Sequence, residues 1–425
     1  MSAPSPTHVG VAGAGGVTAY PVRWRPVAAL RYRLGGDALA RVTIAPPDHW
    51  DDEQVASFER RDAHNVVRLL APVLAGDGDP GRSDEVADRL RRWVADGVLG
   101  VDPIDAVYVY RCSDGGAPMT GVVAAMSLHP DTAKRMLPHE GLIPSILERQ
   151  TRLARTTRAQ LEPVVAVHRA TVRWQQVVDE ITAAPADISI LTEDDVRHQV
   201  WVCTDRAAAD ALAAEVVDSQ SMIADGHHRW AALQELTATG VPVDALVMLV
   251  DLERGGLQLG PIHRVLRDLT WTRVEATGLP SGGPLADEAA ARQLLDRDPE
   301  ACVLTDGRRW LGVGDPRPER VTHALAGSRG LRNSSSGEQR LAVSRLHSQW
   351  VPSWGCSEGD IEYVHDLYTA QRLARRDGGI AVLLPALSLD AVFAAARTGA
   401  VLPRKATSFG PKPRIGLLMR LLPKP

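Results

Sequence analysis

The run Met222-Ile223-Ala224-Asp225-Gly226-His227-His228-Arg229-Trp230-Ala231-Ala232-Leu233 constrains this chain more than any other stretch. Three apolar residues read as a strand end and Asp225-Gly226 as a tight turn. From His227 the composition becomes helical, and Gly240 is the expected stop. One carboxylate, two imidazoles and one guanidinium therefore stand where a strand feeds a helix. The first backbone N–H groups of a helix have no partners within it and attract anions. Arg229 adds a planar fork that suits phosphate or carboxylate. Burying so dense a polar cluster without a ligand is costly. The stretch reads as a ligand site; the alternative is a capped helix with surface imidazoles.

The rest of the sequence narrows the class. With 425 residues the chain can bury a large core in two domains or lobes. Hydrophobic residues are 44% and charged residues 24%, the balance of an ordinary soluble globular protein. A formal charge of −4 argues against nucleic-acid binding by bulk charge, and three Phe and six Tyr leave few base-stacking platforms. Cys112, Cys203, Cys302 and Cys356 are too dispersed for a zinc ribbon or a disulfide framework. Reduced thiols, no signal-peptide pattern and no apolar run of about 20 residues lead to the expectation of a cytoplasmic protein away from membranes.

Four segments are expected. Residues 1–20 form a flexible, Gly- and Ala-rich lead-in whose glycine spacing does not fit a dinucleotide loop. Residues 21–274 hold the site motifs, 275–345 a peripheral insertion with a loop, and 346–425 an α/β segment that returns to the core. Within them, residues 42–47 read as a short strand. Ala106–Cys112 and Gly121–Leu128 read as a hairpin around Asp114-Gly115-Gly116. Ile143 to Ala159 reads as a helix, Pro163–His168 and Ala245–Leu252 as strands. Gly260-Pro261 is expected to lead into a short helix, and Tyr363–Arg376 to form another.

Further motifs carry candidate chemistry. Leu137-Pro138-His139-Glu140 precedes the Arg-rich helix, and Glu140 is either its cap or a general base in a partly buried pocket. His263-Arg264 reads as a loop histidine and a surface arginine, or as part of the site. Lys405 and Lys412, in the tail 402–413, are point-charge partners for phosphate or simply a solvated basic tail. Adjacent His227 and His228 diverge on a helix, so a transition metal would need distant assembly of His139, Asp225, His227 and His263. Mg²⁺ held by Asp225 and substrate phosphates is the more natural metal.

In one order, these motifs resemble the family called domain of unknown function 1015. The resemblance lies at Pro46-Pro47, Asn65-Val66-Val67-Arg68-Leu69, Pro138-His139-Glu140, Asp225-Gly226-His227-His228-Arg229, Pro261-Ile262-His263-Arg264 and 403–412, so it spans roughly 21–422. Asp48-His49-Trp50 depart from the Tyr-Asp-Val that usually follows the double proline, which bears on substrate choice. The Gly-His-His-Arg box is also similar to the phosphate box of the ParB and sulfiredoxin superfamily and of free serine kinases. Position 227 holds histidine where sulfiredoxins carry cysteine, so thiol chemistry is excluded there.

The resemblance implies an α/β (α+β mixed) fold with a ParB/sulfiredoxin-like core and a strand–turn–helix phosphate box, elaborated by N- and C-terminal mixed segments. It implies a nucleotide-dependent phosphotransferase, a small-molecule kinase taking ATP or ADP with Mg²⁺ and acting on a small hydroxy metabolite, a hydroxy amino acid such as free serine. Glu140, Asp225 and His227 are the catalytic candidates, with Asp225 also the metal ligand. Gly226, His228, Arg229, His263, Arg264, Lys405 and Lys412 are the nucleotide-binding candidates. The rival expectations are a nucleotide-binding regulator without turnover and a metal-dependent hydrolase.

Overall fold

The computed structural model describes residues 24–46, 52–74, 80–217, 219–240, 243–278, 281–314 and 341–423. The expected lead-in, Asp48-His49-Trp50 and part of the expected insertion, 315–340, lie outside the described residues.

Two sheets organise the mixed α/β fold. In the larger one, neighbouring strands run in the order Met136–Leu137, Ser221–Asp225, Val164–His168, Asp244–Asp251, Met119–Ser127, Val107–Ser113, Arg197–Cys203 and Ile188–Leu191. Trp24–Arg25 pairs with Met119–Ser127 beside that path. Two pairs are parallel, Ser221–Asp225 with Met136–Leu137 and Asp244–Asp251 with Val164–His168. The other pairs are antiparallel. The central strands are apolar on both faces because both faces are covered. Val165, Val167, Met222, Leu246 and Met248 join one buried cluster. Their alternate neighbours Val164, Ala166, Ile223, Ala245 and Val247 join a second. The expected hairpin forms, and Gly115 at its tip adopts a φ of 97° that only glycine takes without strain.

The second sheet is antiparallel, in the order Ser281–Leu285, Trp310–Val313, Cys302–Thr305, Ile380–Leu383, His263–Leu266 and Ile361–Val364. Three of its six strands come from the 275–345 stretch and one from the segment before it. The short helix expected after Gly260-Pro261 is instead the strand His263–Leu266, all four residues buried between two partner strands. Tertiary pairing overrides a weak local signal there. The strand expected at 42–47 is likewise the end of a helix, Gly36–Val42, followed by a single bridge from Ile44 to Ile415. Ile361–Val364 is strand, so the helix expected from Tyr363 begins only at Leu367. The chain's last segment returns to the larger sheet's side, where Arg420–Leu421 pairs with Ala159–Gln160. Among the described residues no helix is long and apolar enough to cross a membrane.

Candidate functional site

Sheet register builds the site. Ser221 pairs with Met136 and Met222 with Leu137, in parallel. The segment that follows Leu137, through Glu140, is thereby set beside the strand that ends at Asp225, and the two acids line one cleft although they are far apart in sequence. A third segment joins them. Leu402 donates its N–H to the His139 carbonyl at 2.8 Å and forms a parallel bridge with Glu140. The tail after Leu402 thus runs beside Glu140.

Gly226 makes the turn from the strand Ser221–Asp225 into the helix His227–Ala238, with φ 94° and ψ 28°. A Cβ at this position would lie 2.8 Å from Nε and Nη2 of Arg229. No side chain caps the helix. Its first N–H groups therefore keep their capacity to bind an acceptor.

A cleft of about 240 Å³ opens at this point. Glu140, Asp225, Gly226, His227, His228, Arg229, Lys405 and Lys412 all line it, with Leu74, Ile143 and Ile146 forming an apolar stretch of wall. His263 and Arg264 do not line it. His263 is buried in the second sheet, where Nδ1 accepts the Leu384 N–H at 3.2 Å. Arg264 is wholly buried and donates to backbone carbonyls, including that of Lys405 at 2.8 Å.

Glu140 does not cap the following helix. That helix, Pro144–Thr157, has Ile143 at its N-cap and no side-chain cap. Glu140 Oε1 accepts the Thr407 N–H at 3.0 Å and the Thr407 hydroxyl at 2.6 Å. Thr407 Oγ1 also lies 2.8 Å from His139 Nε2. The hydroxyl has one proton, so donating to an ionised Glu140 leaves it an acceptor for His139 Nε2–H. Burial raises the Glu140 carboxyl above its ordinary range, and the Thr407 hydrogen bonds with the charges of Lys405 and Arg264 work against that rise.

The imidazoles are neutral. Burial pulls His139 and His228 down to about 4. Burial, then the neighbouring His139, holds His227 well below the imidazole range. His228 Nε2 accepts the Ile143 N–H at 2.8 Å, and His227 Nε2 accepts that of His139 at 3.4 Å. The less favoured alternative, a transition metal assembled on His139, Asp225, His227 and His263, does not fit this geometry. His263 lies elsewhere, and the Nε2 atoms of His139 and His227 are engaged. Among the described residues no group of three or more His, Cys, Asp or Glu converges as a metal site.

Arg229 lies between Asp225 and Glu162 and bonds to both. Burial alone would raise the Asp225 carboxyl, but the charges of Arg229 and Lys412 outweigh it and hold it low. Lys412 Nζ is 3.9 Å from Asp225 Oδ1. Sequence reasoning missed Glu162, a solitary acid before a strand with no motif around it. Thr407 and Arg404, which also line the cleft, lie in the tail 402–413, where only Lys405 and Lys412 stood out as candidates.

The family model described as Protein of unknown function (DUF1015) matches residues 24–278, more than half of the chain. The chain belongs to DUF1015. The match takes in Glu140, the box from Asp225 to Arg229, and Arg264, whereas Lys405 and Lys412 of this DUF1015 chain lie beyond it. No curated protein matches it. Among solved structures, a free serine kinase in complex with AMP aligns at 16% identity over 70% of this chain and 91% of that one, with a TM-score of 0.39. A conserved hypothetical protein from Pyrococcus furiosus aligns at 16% identity over 70% and 95%, with a TM-score of 0.36. SbnI with a C-terminal truncation, from Staphylococcus aureus, aligns at 14% identity over 70% and 87%, with a TM-score of 0.39. At these scores the likeness assigns no residue and no reaction to the DUF1015 chain.

Proposed function

We propose that this protein is a nucleotide-dependent phosphotransferase acting on a small hydroxy metabolite. One observation carries the reading: an uncapped helix start flanked by Lys405 and Lys412 shares a cleft with a partly buried carboxylate that caps no helix. The first supplies backbone donors and cations for phosphate. The second supplies a base close to where the phosphate would lie.

In this reading Glu140 accepts the acceptor's hydroxyl proton. The hydroxyl oxygen forms a bond to the terminal phosphorus of ATP or ADP, and the bridging P–O bond breaks to release the shorter nucleotide. Lys405, Lys412 and the amides after Gly226 offset the charge gathered on the phosphoryl oxygens. Asp225 fits a Mg²⁺ ion that takes one carboxylate, phosphate oxygens and water, and such an ion would further neutralise the phosphates. Neutral His228 lines the same wall and can donate from Nδ1, since Nε2 already accepts from Ile143. A hydroxy amino acid, with serine first, is the acceptor class to test.

The test is acceptor-dependent turnover in Glu140→Gln. Glutamine can keep the acceptor role towards Thr407 but cannot take a proton. Nucleotide affinity should hold while turnover falls by roughly 10²–10⁴-fold. Full activity in that variant would remove Glu140 as the base. Nucleotide binding by the wild type with no turnover on any hydroxy acceptor would instead make the protein a nucleotide-binding regulator.

A further inference from the structure

Arg264 is fully buried, and among the described residues no carboxylate lies within ion-pair distance of it. A guanidinium in such a place is expensive unless its donors are used. Here they are used on backbone. Nη1 donates to the Ile262 carbonyl, and Nη2 to the carbonyls of Lys405 at 2.8 Å and Arg404 at 3.3 Å. Nε donates to His347 Nε2 at 3.2 Å. His347 is held in turn by Glu358, which also accepts the Tyr363 hydroxyl at 2.8 Å, and the Tyr363 ring lies beneath the guanidinium.

The segment held this way is unusual. Lys405 has a φ of 54°, one of three non-glycine residues among those described with positive φ. That conformation is strained for a residue with a Cβ. It persists where surrounding contacts overdetermine it. Lys405 at this bend and Thr407 just after it both line the cleft, and Thr407 is the residue that holds Glu140.

We propose that Arg264 is a positioning residue: its fork clamps the Arg404 and Lys405 carbonyls and fixes the left-handed bend that delivers Lys405 to the phosphates. The second sheet is then part of the site's machinery, since Arg264, Tyr363 and the His347–Glu358 pair belong to it or pack on it. The proposal rests on the phosphate-binding reading of the cleft. Lysine cannot replace the fork, because one ammonium cannot reproduce its planar set of donors.

A double-mutant cycle with ADP as the probe tests it. Calorimetric titration would compare the wild type, Arg264→Lys, Lys405→Ala and the double variant of the full chain. Each single change should weaken ADP binding by about tenfold, the scale of one charge-assisted contact. The double variant should bind no more than about twofold worse than Lys405→Ala, because Arg264 acts through Lys405. A hundredfold combined loss, or unchanged affinity in Arg264→Lys, would overturn the proposal. Should Arg264→Lys not fold, His347→Ala loosens the same clamp and enters the same cycle. Its loss of affinity should vanish in the Lys405→Ala background, and an additive loss or none would overturn the proposal. Failure of the wild type to bind ADP would contradict the nucleotide reading itself, and this inference with it. Normal wild-type binding with an insensitive Arg264 would contradict only this inference.

Discussion

Arg229 is 12% exposed in its side chain and bonds to two carboxylates, Asp225 and Glu162. Its contacts therefore serve the fold first, and a phosphate in the cleft would have to share it with both carboxylates. Removing one partner of a fully buried ionic group costs about 3–5 kcal/mol, and the 32% exposure of Asp225 lets water take up part of that here. Arg229→Ala should still lower the urea midpoint, and an unchanged midpoint would contradict the partly buried triad. Glu140 has a different signature. Its carboxyl must be ionised to act as a base, and burial raises its pKa, so kcat/KM should climb with pH through an acidic limb above the ordinary glutamate range. Lys405 opposes that rise, so the limb should move to still higher pH in Lys405→Ala. A limb that stays put would show that Lys405 does not face the base. Both environments were only half visible in the sequence. Glu140 could be singled out by its Pro-His-Glu setting, but its hydrogen bonds come from Thr407, which is 267 positions away.

Elements explain why the site assembles where it does. The parallel pairing of Met136–Leu137 with Ser221–Asp225 brings the segment holding Glu140 beside the strand that ends at Asp225, and His228 ties the helix His227–Ala238 to the start of Pro144–Thr157. His228→Ala deletes the acceptor for the Ile143 N–H. Hydrogen exchange at the Ile143 amide should then speed up while the central strand Asp244–Asp251 keeps its protection. Unchanged exchange at Ile143 would show that the link is not formed in solution. The box itself was legible because it is local: apolar strand residues, a glycine turn and a helix follow one another within one short run. The hairpin around Gly115 and the strand Val164–His168 were legible for the same reason. His263–Leu266 was not, because its strand character comes from Ile361–Val364 and Ile380–Leu383, over a hundred positions along the chain on the far strand. His263 and Arg264 consequently read as a site pair, when one faces the Leu384 amide and the other the Lys405 carbonyl.

At the scale of the molecule, buried imidazoles couple the fold to pH. Burial takes His139, His168, His198, His228 and His263 each from 6.5 to about 4. The unfolded chain binds protons at these groups between those two values and the folded chain does not. Stability from them is complete above about pH 6.5 and drains away as pH falls towards 4. The Glu140 carboxyl contributes in the opposite sense, since its raised value favours the fold at lower pH. Five histidines outweigh one carboxyl, so calorimetric Tm should fall steadily from pH 7 to pH 4, and a flat Tm over that window would contradict the burial of these rings. The central claim, that the turn at Gly226 begins a phosphate site, is tested most directly by ADP titration of the wild type and Gly226→Ala in the presence of Mg²⁺. A Cβ at φ 94° would strain the turn and meet the Arg229 guanidinium. The account predicts saturable, one-to-one ADP binding by the wild type and a loss of at least about tenfold in the folded variant. Equal ADP affinity in the two proteins, or no binding by the wild type, would contradict it.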